Sequence, residues 1–209
     1  MAIVIQTHAD HPHMRALSPL EQKGCVVAYP TPAGYALGCH LNDFKAIQSI
    51  QTMRSLSKSH YFTVVCQDLK TASAFVRIST PIFRTLKSHG CSVTIFILPA
   101  LKSISKSIAH QKRQAVGVRI PDDRLTQAML ALYDGAMLSV SAIGEEARLD
   151  MPYAASDIVR LYPRVDYVLE TRPVLTQPSS VIDCTEDHAM LCVRSGIGVI
   201  PDGCEFSDI

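Results

Sequence analysis

Tyr29-Pro30-Thr31-Pro32-Ala33-Gly34-Tyr35-Ala36-Leu37-Gly38 is the stretch whose reading decides the fold. The run leading into it, Cys25 to Tyr29, has the composition of a buried strand. Pro30 and Pro32 then withhold two amide donors and push the residues before them out of helical geometry. Gly34 and Gly38 allow backbone geometry that side chains would block. A strand that ends in such a turn, with backbone N–H groups beside polar side chains, is the kind of edge at which open α/β sheets bind ligands. An ordinary loop between a strand and a helix has the same local composition, so the stretch alone leaves both readings open.

Strand-like runs recur on either side, at Ile3 to Gln6, Phe62 to Cys66, Val93 to Leu98, Ala115 to Ile120, Met137 to Val140, Val165 to Leu169, Ser180 to Cys184 and Met190 to Val193. Helices separate several of them. Asn42 or Asp43 can cap a helix whose Phe44, Ile47, Ile50 and Met53 form one apolar stripe ending near Arg54. Asp122 or Asp123 can cap another, with Leu125, Met129 and Leu132 inward and Gly135 as its stop. This alternation is α/β. The short polar link between the last two strands predicts an antiparallel hairpin and therefore a mixed sheet. With 209 residues, 47% hydrophobic, and no linker tract or repeat, a single domain over residues 1–209 is expected.

Charge is uneven although the net is only +1. Residues 77–124 hold nine basic and two acidic groups, whereas 125–209 hold five against thirteen. Lys102, Lys106, Lys112, Arg113, Arg119 and Arg124 could build a positive face for phosphate, and a plainly solvated face explains them equally well. The apolar run near Val93 to Leu101 is far shorter than the ~20 residues of a membrane span, and Met1 to Gln6 lacks a signal peptide's basic start, so a cytoplasmic protein without membrane contact is expected. Seven cysteines without a C-x-x-C pair argue against zinc. His8, Asp10, His11 and His13 are metal-ligand types, but their spacing suits neither a helix face nor a strand face, so no metal site is expected. Neither G-x-G-x-x-G nor G-x-x-x-x-G-K-[ST] occurs, and Gly196-Ile197-Gly198 reads as a turn. No apolar pattern marks a protein-binding face.

The order of motifs resembles the YrdC/YciO family, founded on L-threonylcarbamoyladenylate synthesis for tRNA modification. The residues that carry the resemblance are Tyr29-Pro30-Thr31 with Gly34-Tyr35-Ala36-Leu37-Gly38, the helix ending at Arg54, Val93-Thr94, and Val118-Arg119-Ile120-Pro121. They continue through Leu138 to Ser141, Ser179 to Asp183, and Val193-Arg194 with Gly196. Thr7-His8-Ala9-Asp10-His11-Pro12 and Phe62-Thr63 look more like the YciO branch. The resemblance implies a twisted mixed parallel/antiparallel sheet with helices and a basic concave cleft. It also implies ATP as substrate, with magnesium as its companion ion, joined with threonine and bicarbonate in a nucleotidyl transfer that releases pyrophosphate. Nucleotide phosphates would meet Arg54, Lys58, Arg119, Ser141 and Arg194, and the amino acid would meet Thr31, Tyr35, Ser139 and Ser179. No residue is assigned to catalysis.

Departures from the family pattern lie in the same places. The K-x-R pair falls on Arg54 and Leu56, the S-x-N pair on Ser141 and Ile143, and the hydroxyl expected in the turn on Ala33. The P-G-P-x-T loop becomes Gly90-Cys91-Ser92-Val93-Thr94. Each lost polar contact weakens binding by about 1–3 kcal/mol, so little synthase activity is expected. The alternative is a non-catalytic protein that binds tRNA or double-stranded RNA in translation through the same basic residues.

Overall fold

The computed structural model describes residues 2–10, 12, 14–57, 60–104, 108–110, 113–143, 151–186 and 189–207. The chain runs through β1 (Ile3–Gln6), α1 (Met14–Leu17), a 3-10 turn (Ser18–Glu21), β2 (Val27–Thr31), β3 (Gly34–His40), α2 (Phe44–Met53) and β4 (Thr63–Cys66). Next come α3 (Leu69–Ala72), α4 (Thr80–His89), β5 (Cys91–Pro99), β6 (Ala115–Ile120), α5 (Arg124–Leu132) and β7 (Ala136–Ser141). The remaining elements are β8 (Pro152–Tyr153), α6 (Ala155–Leu161), β9 (Tyr167–Glu170), β10 (Val174–Leu175), β11 (Val181–Asp183), β12 (Leu191–Arg194) and β13 (Glu205–Phe206). Packing divides them into two compact units: Met1–Ser57 with Asp122–Gln177, and Lys58–Pro121 with Pro178–Ile209.

In the first unit the strands pair in the order β1, β9, β2, β3, β7. β9 is parallel to β1 and β2, and the β2–β3 and β3–β7 pairs are antiparallel. In the second unit the order is β4, β6, β5, β11, β12, β13, again mixing parallel and antiparallel pairs. The α/β class and the mixed pairing agree with the sequence reading, and β11 and β12 form the expected antiparallel hairpin. No helix among the described residues is long and apolar enough to cross a membrane.

The stretch from Tyr29 to Gly38 differs from the strand-to-loop edge expected of it. It is a β-hairpin, with Thr31 opposite Gly34 and only Pro32 and Ala33 in the turn. Pro30 stays inside β2 because its pairing with Tyr35 needs no N–H from it, while the other neighbour, β9, pairs only at Val27 and Ala28. Gly34 takes φ of +115°, and a Cβ there would lie 2.8 Å from Thr176 Oγ1, so both conformation and space require glycine. Gly38 answers to space alone: the Tyr29 ring crosses it, 3.1 Å from where a Cβ would stand, and Tyr29 Oη meets Ser139 Oγ on β7 at 2.7 Å.

The helix starts follow the capping rule. Asp43 accepts from Ala46 N at 3.0 Å and Asp123 from Thr126 N at 2.8 Å. The α2 stripe is Ala46, Ile47 and Ile50, whereas Phe44, in the first helical position, is 62% exposed, contrary to the predicted stripe. In α5 the buried residues are Leu125, Thr126, Met129 and Leu130, with Leu132 only half-buried. Ile3 and Val4 on edge strand β1 and Val199 and Phe206 in the second unit are exposed.

The Tyr29–Ser139 bond is checked by a double-mutant cycle in urea. Tyr29→Phe should cost about 1–3 kcal/mol by leaving a buried hydroxyl unpaired, and adding Ser139→Ala should recover part of the loss. Strictly additive losses would show that the two groups are not coupled.

Candidate functional site

Two predicted residues of the first unit, Arg54 and Ser141, meet where α2 and β7 end. Arg54 is the C-cap of α2, and Ser55 follows with φ of +49°, which stops the helix and turns the chain away. Arg54 Nε donates to Ser141 O at 2.8 Å, so two residues far apart in the chain are brought together, through a backbone carbonyl. The terminal guanidinium nitrogens of Arg54 make no hydrogen bond among the described residues. Ser141 Oγ donates to Ile143 O at 2.8 Å, and Ile143 is itself buried.

The hairpin residues serve their own turn. Thr31 Oγ1 donates to Gly34 O at 2.7 Å and accepts from Ala33 N at 3.2 Å. Tyr35 and Ser139 are buried; the Tyr35 hydroxyl donates to Leu169 O at 3.0 Å, and burial, with the Glu170 charge second, pushes it up to about 12. Thr176 packs against Gly34, and its buried Oγ1 has no hydrogen-bond partner among the described residues. No motif in the sequence signals it.

In the second unit the strongest feature surrounds Arg119. The β5–β6 ladder passes from Phe96 opposite Val118 to Cys91 opposite Ile120, so Ser92, Val93, Thr94 and Ile95 bulge out opposite Arg119 alone. Arg119 is only 5% exposed. Its Nη1 reaches Ser92 O at 3.4 Å, a weak contact, and its buried Nη2 has no hydrogen-bond partner among the described residues. A buried cation with an open N–H is a ready anion site.

Around that bulge the chain is held by glycines and hydroxyls. Ser180 Oγ donates to Gly198 O at 2.7 Å and accepts from Gly196 N at 3.0 Å. Thr94 Oγ1 donates to Val199 O at 2.8 Å, and a Cβ on Gly198 would stand 2.3 Å from that same oxygen. Gly196-Ile197-Gly198 is thus a bend whose glycines permit close backbone contact. Arg194 Nε donates to Ser179 O at 2.9 Å, which brings these two predicted residues together.

Lys58, Lys106, Lys112, His11 and His13 lie outside the described residues. Burial holds six of the seven thiols toward the protonated form. Burial pushes Cys66 and Cys184 up to about 12 and Cys91 up to about 11, the last opposed by a backbone hydrogen bond from Ile120 and by the Arg119 charge. Burial also raises Cys25, Cys39 and Cys204.

The Sua5/YciO/YrdC family model, described as telomere recombination, matches residues 20–196. The chain belongs to this family. The YciO protein of Escherichia coli K12, itself uncharacterised, is 33% identical over 196 residues, which cover 91% of this chain and 94% of that protein. The crystal structure of E. coli YciO superposes with a TM-score of 0.88 at 31% identity, over 95% of this chain and 98% of that one. The threonylcarbamoyl-AMP synthase of Neisseria gonorrhoeae is 27% identical over 120 residues, 55% of this chain and 64% of the synthase. Pyrococcus abyssi Sua5, solved in complex with L-threonine, shares the fold with a TM-score of 0.83 at 16% identity, over 99% of this chain and 63% of that one. These relations place the family's YciO and synthase members beside this chain.

Arg119→Met removes the buried charge while keeping volume. A charged N–H without a partner costs about 1–3 kcal/mol, so the variant should melt higher, by about 2–4 °C for each kcal/mol recovered. Inorganic pyrophosphate should raise the melting point of the wild type and not of the variant. A variant that melts well below the wild type would make Arg119 a structural residue instead.

Proposed function

We propose that the protein binds the phosphates of a nucleotide such as ATP, with Arg119 as their buried anchor, and that it makes little threonylcarbamoyl-AMP. The observation that carries this reading is the Arg119 guanidinium, buried opposite a four-residue bulge with one terminal nitrogen that has no hydrogen-bond partner among the described residues. A phosphate oxygen is the complement of that group. Arg194, Arg54, Ser141 and Lys58 are assigned to nucleotide by the resemblance, and Thr31, Tyr35, Ser139 and Ser179 to the amino acid. ATP and its magnesium ion would be substrate, not resident cofactor.

Weak synthesis is supported by what replaces the family's polar groups. Leu56 and Ile143 carry no polar side chain, and the proton of Ser141 goes to the Ile143 carbonyl. Ala33 brings no hydroxyl to the turn. At about 2 kcal/mol each, three lost contacts that add would slow the reaction on the order of 10^4-fold. Thr31, Tyr35 and Ser139 already spend their hydroxyls on protein groups.

A second reading, RNA binding without synthesis, is favoured by the nine basic and two acidic residues of 77–124. Arg77, Arg84, Lys87, Lys102 and Arg113 are exposed in the second unit, although Arg113 is paired with Asp183 at 2.5 Å. Phosphate contacts of this kind release counterions and act on tRNA or double-stranded RNA without reading sequence.

Incubation with threonine, bicarbonate and labelled ATP should give pyrophosphate release close to a protein-free blank, while ATP raises the melting point of the wild type. Sustained turnover would overturn the claim of weak synthesis, and an unchanged melting point the claim of nucleotide binding. For the second reading, tRNA affinity should fall by at least about tenfold between 50 and 200 mM salt if several phosphates are held. A flat response would exclude it.

A further inference from the structure

A groove of about 450 Å3 lies in the first unit between α2 and the segment that follows α6. One wall is the α2 face of Lys45, Gln48, Ser49 and Thr52, spaced as one helical stripe and distinct from the buried stripe of Ala46, Ile47 and Ile50. The other is Leu161 to Arg164. Its volume falls within the ~300–1,000 Å3 of small-ligand sites.

The chemistry of the lining is selective. Lys45 and Arg164 are both exposed, no carboxylate lines the groove, and neither cation makes an ion pair among the described residues. Arg164 also borders a smaller hollow of about 270 Å3, where the Asp166 carboxylate is already engaged by Val26 N at 2.8 Å. Ser49 Oγ donates to Lys45 O at 3.0 Å and Thr52 Oγ1 to Gln48 O at 2.9 Å. Their protons are spent within the helix, so toward the groove these hydroxyls can only accept. Met53, Leu161 and Pro163 add apolar surface, Leu161 being 50% exposed. A matching ligand carries an anion for the cations, hydroxyl donors for Ser49 and Thr52, and an apolar face.

We infer that this groove binds a small phosphorylated ligand of the nucleoside monophosphate class, phosphate on Lys45 and Arg164, sugar hydroxyls on Ser49 and Thr52, and base on Leu161 and Pro163. The site goes beyond the phosphate role of Arg119 and does not depend on it. Both walls are attached to one short piece of backbone. Met53 precedes Arg54, which donates to Ser141 O, and Tyr162 Oη donates to Ala142 O. A ligand that draws the walls together therefore pulls on Ser141 and Ala142, and only the functional reading of that pull rests on the proposed nucleotide role of Arg54.

The test is an amide NMR titration of the full chain with AMP, adenosine, ribose 5-phosphate and inorganic phosphate, on the wild type and on Lys45→Glu/Arg164→Glu. AMP should give one saturating curve at amides 48–53, 162, 164 and 142, with adenosine and phosphate each at least about tenfold weaker. The charge-reversed protein should keep its folded spectrum and lose AMP affinity at those amides by about tenfold or more. No saturating shift there, an unchanged titration in the charge-reversed protein, or phosphate alone binding as tightly as AMP would overturn the proposal. Shifts near Arg119 report the other reading independently: their absence with the groove titrating counts against Arg119 alone.

Discussion

The bond between Tyr29 and Ser139 crosses β3 at Gly38 and ties three strands of the first unit, β2, β3 and β7, into one rigid layer. Much of the candidate site in that unit depends on it. Gly38 must lack a side chain for the ring to pass, and Ser139 sets the register two residues before Ser141. That register fixes where β7 ends and therefore where the Arg54 guanidinium finds a carbonyl to hold. A hydrogen-bonded polar pair inside a core favours one arrangement because any other must satisfy both buried hydroxyls again.

The second unit shows the opposite economy. Thr94 bonds Val199, and Ser180 bonds both Gly196 and Gly198, at close quarters, yet the bulge they hold leaves Arg119 with an open buried N–H among the described residues. That unpaired buried N–H is the group on which the proposed phosphate role rests. The same contrast separates the residues drawn from the family resemblance. Thr31, Tyr35 and Ser139 have become parts of turn and core, while Arg119 Nη2 and the terminal nitrogens of Arg54 have no hydrogen-bond partner among the described residues.

Several features were legible because their causes are local. Asp43 and Asp123 precede apolar runs and cap helices by accepting N–H groups three residues on. The β11–β12 hairpin followed from two short apolar runs with a polar link too short for a crossover. The helix Thr80–His89 carries comparable signals, Pro81 in its first turn, Ile82 and Leu86 on one face and Gly90 at its stop with φ of +69°, but the polar residues around them blur its apolar stripe. The hairpin at Pro30 is not legible locally for a different reason. Whether a proline ends a strand depends on which neighbour its nitrogen faces, and that is a property of the sheet.

By itself the sequence determined the α/β class, the mixed pairing, the helix starts and the family, because these rest on periodicity, capping chemistry and motif order along the chain. The tertiary structure alone decided which polar groups are spent and which stay open. Arg54 and Ser141 stand 87 positions apart and Arg119 and Ser92 stand 27 apart, and no local pattern says that one guanidinium is engaged only at Nε while the other buries a nitrogen with no partner. Hydrogen bonding and burial are set by what folds against a residue, and only strands brought together from distant segments supply that information.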